Sequence, residues 1–294
     1  MPKGKLKPML RLVAIPVVFF VVASTLLMIF ESRLIYFPSV HPAGSYELPT
    51  SHLPGWHYPA IEDVWLTAAD GTRIHGWFCR PMRSEHAGAV RIDTDMTLLW
   101  FHGNAGSILE RYEIVRIFME LPIDVFVIDY RGYGQSAGKP SEQGLYMDAK
   151  AAWSYLTGDR AIAPDRIVIF GKSLGGGPAT ELATHVNAGG LILQSAFTSI
   201  PDMAGVCFPI FPRFIVRTQM NSLSKIGEIS CPKLIIHSPV DEVIPYQMGR
   251  ELFEAAEKPK TFYTVEDAGH NETFLIGGKE YVSAVRDFLE SCRQ

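Results

Sequence analysis

Apolar positions follow two regimes along this chain. Residues 10–30 read LRLVAIPVVFFVVASTLLMIF, a run interrupted only by Ser24 and Thr25, with Arg11 at its edge as the one charge. As a helix this run extends about 30 Å, the thickness of a bilayer's hydrocarbon layer. Pro16 falls near its first turns, where neighbouring groups in a membrane helix re-satisfy the freed carbonyl. Beyond about residue 60 the rhythm becomes short apolar runs alternating with stretches of helical period. Residues 64–66 and 74–79, separated by Asp70-Gly71, read as strand, turn and strand. Further strands are expected at 97–101, 125–129, 167–170, 191–194, 234–237 and 261–265. Helices are expected at 108–120, 142–156 (with Ser141 as N-cap), 174–186, 246–256 and 280–292. Strands alternating with helices predict an α/β fold whose mostly parallel sheet carries helices on both faces.

This pattern divides the chain into a short N-terminus (residues 1–9), a transmembrane anchor (10–30), a connector (31–59) rich in Pro, Tyr, His and Ser, and one catalytic-sized domain (60–294). Lys3, Lys5, Lys7 and Arg11 precede the span while Arg33 alone follows closely. The positive-inside rule then leaves the N-terminus in the cytoplasm and the body in a periplasmic, lumenal or extracellular space. The competing reading is a cleaved signal peptide, with Val22-Ala23-Ser24 supplying small residues; continued apolarity through Phe30 favours an uncleaved anchor.

With 294 residues, 47% hydrophobic and 20% charged, the chain has the composition of a globular protein, and its net charge of -4 gives no footprint for nucleic acid. Cys79, Cys207, Cys231 and Cys292 lie far apart without a CxxC pair or a histidine at metal-ligand spacing. No zinc, redox or cofactor site is therefore expected, and buried free thiols are the simplest reading.

Gly171-Lys172-Ser173-Leu174-Gly175 matches G-x-S-x-G between an apolar strand and a helix. In that setting a sharp turn projects the serine hydroxyl above the sheet. A hydroxyl is a poor nucleophile at neutral pH, so a base must lie within hydrogen-bond reach and an acid must orient it. In the order Ser, acid, His, the candidates are Asp241 in HSPVDEVIP and His270 in VEDAGHNE, each after a strand and on the same sheet edge as Ser173. Among the rivals, Glu242 is expected to point away, and His237 to be a core residue or a neighbour of the site. His102 comes too early for this order, Asp267 follows a strand that already supplies the base, and Asp129 is expected to bond the turn after it. Backbone N–H groups of Leu174 and of Asn104, in HGNAG, are placed to hold an oxyanion.

At these residues a resemblance becomes specific. HGNAGS, IDYRGYGQSAG, GKSLGGGPA, HSPVDEVIP and DAGHNE stand in the order and approximate spacing of the α/β-hydrolase superfamily. The chain resembles the branch holding membrane-anchored serine hydrolases, protein depalmitoylases and lysophospholipid hydrolases, and Arg33-Leu34-Ile35-Tyr36-Phe37-Pro38 is similar to it as well. The resemblance implies the α/β-hydrolase fold, Ser173, Asp241 and His270 as a triad, and Asn104 and Leu174 as the oxyanion hole. His237-Ser238-Pro239 departs from the His-Gly usual before the acid loop.

Residues 196–230 then form a short apolar cap carrying Phe197, Ile200, Met203, Val206, Phe208, Ile210, Phe211, Phe214 and Ile215. It reads either as a lid over an acyl pocket or as a small helical pair packed on the core. Arg213 and Arg217 are candidates for an anionic head group, or plain exposed arginines. The expected activity is metal-independent hydrolysis of a small-molecule ester or thioester, lipid-like and near the membrane. The alternatives are amide or peptide cleavage by the same residues, and a catalytically silent hydrolase-fold protein that binds a partner at the membrane.

Overall fold

The computed structural model describes residues 6–42, 57–85, 88–91 and 95–293. Residues 43–56 of the expected connector and the first five residues of the N-terminal segment lie outside these. The chain opens with helix α1, Leu6–Ile35. It does not stop at Phe30. Glu31, Ser32 and Arg33 continue it, because none of them breaks a helix and the Glu31 carboxylate finds partners on the body of the protein. Within α1, Val17–Ile35 is long and apolar enough to cross a membrane, a test that a signal sequence also meets.

Eleven strands follow in the described residues: β1 (Phe37–Pro38), β2 (His57–Thr67), β3 (Arg73–Glu85), β4 (Gly88–Arg91), β5 (Met96–Phe101), β6 (Ala105–Gly106), β7 (Ile123–Ile128), β8 (Ile167–Lys172), β9 (Gly190–Gln194), β10 (Lys233–His237) and β11 (Lys260–Thr264). The main sheet runs β2-β3-β7-β5-β8-β9-β10-β11, with β4 paired to β3. Pairing is antiparallel among β2, β3 and β7 and parallel from β7 to β11. Every residue of β5, β7, β8, β9 and β10 is buried. They read as continuous apolar runs because helices cover both faces.

Those helices are α2 (Tyr112–Phe118), α3 (Glu142–Ser154), α4 (Gly176–Ala183), α5 (Ile200–Cys207), α6 (Tyr246–Ala255) and α7 (Thr273–Ser291). Leu145, Ala149, Ala179, Leu182, Met248 and Leu252 pack with Leu99 and Phe101 on one face. On the other, Val115, Phe118, Tyr281, Val285 and Phe288 pack with Leu98 and Trp100. Ser141 caps α3, its side chain accepting the Gly144 N–H. Three helices differ from the sequence expectation. α2 is a short helix after a turn, and α4 starts two residues late because Ser173–Gly175 forms a tight turn. α7 begins at Thr273, well before residue 280, and breaks at Gly278, whose φ of 46° interrupts the apolar period.

The β8–α4 junction leaves no room for side chains. A Cβ on Gly175 would stand 2.0 Å from the Phe101 carbonyl oxygen, and one on Gly171 would stand 2.5 Å from the Gly175 carbonyl. Gly175→Ala is expected to cost ~3 kcal/mol of stability, read as a drop in unfolding midpoint. Gly158→Ala, where a Cβ meets nothing within 4 Å, should shift stability by under ~1 kcal/mol.

Candidate functional site

Ser173 follows β8 directly and sits with φ 53°, a left-handed conformation that an L side chain adopts only when its surroundings enforce it. Here the glycine contacts just described enforce it. The Oγ lies 3.1 Å from His270 Nε2, in the loop after β11. His270 Nδ1 lies 2.9 and 3.0 Å from the two carboxylate oxygens of Asp241, in the loop after β10. The carboxylate therefore takes the Nδ1–H, leaving Nε2 free to accept the serine proton.

Asp241 is held from all sides. The turn begins at Ser238, whose carbonyl accepts the Asp241 N–H at 3.2 Å, so Pro239 sits inside a closed turn and leaves the carboxylate facing His270. Asp241 Oδ1 accepts the N–H groups of Val243 and Ile244 at 2.9 and 2.8 Å. Burial alone would raise its pKa, but bonding to His237, His270 and the Ile244 N–H outweighs burial and holds the carboxyl far below the usual range. The group stays ionised.

Asn104 and Leu174 line the same cavity as Ser173. A Cβ on Gly103 would come within 3.6 Å of Ser173 Cβ, which brings the HGNAG loop against the serine. That loop is tied down by carbonyls: Tyr130 Oη donates to His102 O at 2.7 Å and Tyr133 Oη to Asn104 O at 2.8 Å. The segment after α1 ties it as well. β1 pairs with β6 in parallel, Phe37 N–H donates to Asn104 O at 3.0 Å, and Asn104 Nδ2 donates to Ile35 O at 3.3 Å.

The other candidates stand apart from the serine. His237 is buried, and its Nε2 donates to Ile244 O at 3.0 Å while lying 3.4 Å from Asp241, so it supports the acid loop. His102 donates from Nδ1 to Gly103 O at 2.7 Å. Burial, with the charge of Arg111 adding to it, pushes its pKa down to about 3, so it stays neutral. The Asp129 carboxylate accepts the Ile108 N–H at 2.9 Å, reaching a loop twenty-one residues earlier, while its carbonyl accepts the Ser136 hydroxyl of the turn after it at 2.8 Å. Asp267 occupies a left-handed turn position, φ 57°, after β11. Glu242 was expected to point away; instead its Oε2 accepts the His270 backbone N–H at 2.9 Å. It braces the loop while leaving the ring to Asp241.

Three supports escaped the sequence reading. Lys172 is buried and donates to Asn271 Oδ1 at 2.9 Å, joining the two loops that carry Ser173 and His270. Gln194 bonds both Thr273 and Tyr281, tying the start of α7 to β9. Glu31 of α1 accepts the N–H of Thr218 at 2.6 Å and of Arg217 at 3.1 Å. A carboxylate closing an apolar run was the one signal for Glu31. Spacing carried none for the other two.

Above Ser173 is a cavity of about 250 Å³. The cap forms one wall with Met203, Phe208, Phe211 and Ile215, and α1 forms another with Leu27, Met28 and Leu34. The cap contains one α-helix, α5, followed by turns and not by a second helix of a pair. All four cysteines are free thiols, and among the described residues no cluster of His, Cys, Asp and Glu is arranged to hold a metal.

Known proteins share this organisation. The family described as "Serine aminopeptidase, S33" matches residues 93–226. The chain is 37% identical over 285 residues to the alpha/beta hydrolase domain-containing protein WAV2 of Arabidopsis thaliana, spanning 90% of this chain and 89% of that protein. It belongs to the α/β-hydrolase superfamily. Another α/β hydrolase, domain-containing protein 17B of Homo sapiens, is 34% identical over 260 residues, spanning 83% of this chain and 82% of that protein. In fold this hydrolase is similar to the Pyrococcus furiosus esterase Pf2001, with a TM-score of 0.65 at 20% identity, spanning 83% of this chain and 99% of that one.

Lys172 generates a pH prediction. Burial, reinforced by Arg111 and opposed by Asp241, pushes its pKa down to about 8, whereas an unfolded lysine titrates near ~10.4. Between these values the unfolded chain binds more protons, so stability rises with pH across that window; below it the cost of burying the charge is fully present. Unfolding midpoints measured from pH 7 to 11 should show this rise, and Lys172→Met should flatten it.

Proposed function

We propose that this hydrolase cleaves an ester or thioester of an apolar acyl group through an acyl-serine intermediate, with Ser173 as nucleophile, His270 as base and then acid, and Asp241 as the orienting carboxylate. The observation that carries this reading is the continuous contact from Ser173 Oγ through both nitrogens of His270 to Asp241, at the floor of an apolar cavity. As Oγ attacks the carbonyl carbon, its proton passes to Nε2. The ionised Asp241 stabilises the resulting imidazolium and is not itself protonated. Backbone N–H groups of Leu174 and Asn104 receive the developing oxyanion, each worth ~2.7–4 kcal/mol by analogy with other serine enzymes. Collapse of the tetrahedral adduct breaks the bond to the leaving alkoxide or thiolate, which takes the proton from Nε2. Water then attacks the acyl-serine by the same route, and the carboxylic acid leaves.

An aminopeptidase reading would follow the family description, but it requires a carboxylate to receive a substrate's amino terminus. Glu31, the acidic residue lining the cavity, is already engaged by two backbone N–H groups. The apolar lining favours an acyl chain.

The N-terminal helix is read as a retained anchor, with the N-terminus cytoplasmic and the body on the other side. A cleaved signal would leave the site, yet α1 supplies part of the cavity wall and bonds both the cap and the HGNAG loop.

A fluorophosphonate probe should label wild type and not Ser173→Ala. An unlabelled, folded wild type would instead favour a silent binding protein. On p-nitrophenyl esters, Asp241→Asn should lower kcat by about 10⁴-fold, while Glu242→Gln, which keeps an acceptor for the His270 N–H, should stay within about tenfold. Equal rates for Asp241→Asn and wild type would overturn the assignment of the acid.

A further inference from the structure

The cap carries apolar side chains that neither the core nor the cavity uses. From Val206 to Pro212 the sequence VCFPIFP holds no charge. Val206, Ile210 and Phe214, none of which lines the cavity, are exposed, Ile210 at 78% and Phe214 at 86%. Large apolar side chains grouped on one turn mark a surface that meets another apolar phase.

Its position against α1 says which phase. Phe211 stacks on Phe20, with ring centroids 5.3 Å apart and planes 13° from parallel. A few residues later, Arg217 and Thr218 donate their N–H groups to Glu31. Phe20 and Glu31 are about 16 Å apart along the helix axis at ~1.5 Å per residue. The cap therefore runs down α1 from its body-side end into its apolar run, where Val17, Val18, Phe19, Val21 and Val22 are exposed. If Val17–Ile35 crosses a bilayer, a turn packed beside Phe20 lies within the hydrocarbon too. Arg213, the one charged residue within 206–214, pairs with Asp202 at 2.5 Å, and Arg217 just beyond pairs with Glu31 at 3.5 Å.

We propose that residues 206–214 form a wedge inserted in the bilayer hydrocarbon beside α1, and that the acyl chain of a lipid ester resident in the membrane reaches Ser173 between these two walls. The cavity supports the route, since Leu27, Met28 and Leu34 of α1 face Phe208 and Phe211 of the cap across it, with Ser173 at its floor. A long acyl chain then moves from lipid to a protein-lined slot without crossing water. The route rests on the acyl-serine chemistry proposed above; the insertion of the wedge does not.

Two measurements on the full-length protein in phosphatidylcholine vesicles separate these parts. A nitroxide is placed at Ile210→Cys, with Cys207, Cys231 and Cys292 changed to serine and the fully buried Cys79 retained. It should be relaxed more by oxygen than by a water-soluble nickel chelate, and the same label at the exposed Glu257→Cys should show the reverse. Equal nickel access at the two positions would overturn the wedge, whether or not Ser173 is reactive. For the route, Ile210→Asp and Phe214→Asp, which lie outside the cavity lining, should slow hydrolysis of p-nitrophenyl palmitate carried in the vesicles by about tenfold relative to p-nitrophenyl butyrate in buffer. An unchanged ratio would overturn it. Absence of fluorophosphonate labelling in wild type would count against the acyl-serine chemistry and leave the nitroxide result standing.

Discussion

The architecture of the site depends on one steric constraint, the approach of the β8–α4 turn to the carbonyl end of β5. With Gly175 against the Phe101 carbonyl and Gly171 against Gly175, strand and helix meet more closely than any side chain permits. Ser173 is the residue between them, and it absorbs the sharp reversal as a positive φ. Because β5 and β8 are neighbours in the sheet, the same approach brings the HGNAG loop alongside the serine. A looser junction would separate the hydroxyl from both the loop beside it and the imidazole above it.

Around that fixed point the charges are arranged asymmetrically. Asp241 gathers two backbone N–H groups and two histidines, which keeps it anionic despite burial. His102 bonds the Gly103 carbonyl and lies 3.7 Å from Asp129, yet burial outweighs both and it stays neutral. Among the described residues, His270 alone pairs an anionic neighbour on one ring nitrogen with the Ser173 hydroxyl on the other.

Much of this was legible in the chain. The central strands announced themselves as short apolar runs because both faces are covered, and the residues singled out at their ends are those that meet in the candidate site. Glu242 faces the site, unlike the sequence expectation, because neighbouring residues of a tight turn can both face one loop, Asp241 meeting the His270 ring and Glu242 its backbone N–H. Helix ends were less readable: α7 starts early because Gln194 and Thr273 draw its first turn onto β9, a contact across the fold with no trace in local period. Lys172 and Asn271 stand 99 positions apart, and their bond depends on two loops converging. Local pattern reports what each segment buries, not what distant segments bring to it.

The short pairing of β1 with β6 ties the fate of the helix to the fate of the site. A single residue, Tyr36, separates the end of α1 from a strand that holds the Asn104 carbonyl, and the Asn104 side chain reaches back to the last carbonyl of the helix. Proteolytic release of the body at this point would therefore not yield a soluble copy of the same catalyst. The cut would sever the tether that keeps the loop beside the serine in shape, so detachment from the helix and loss of a formed site would be a single event.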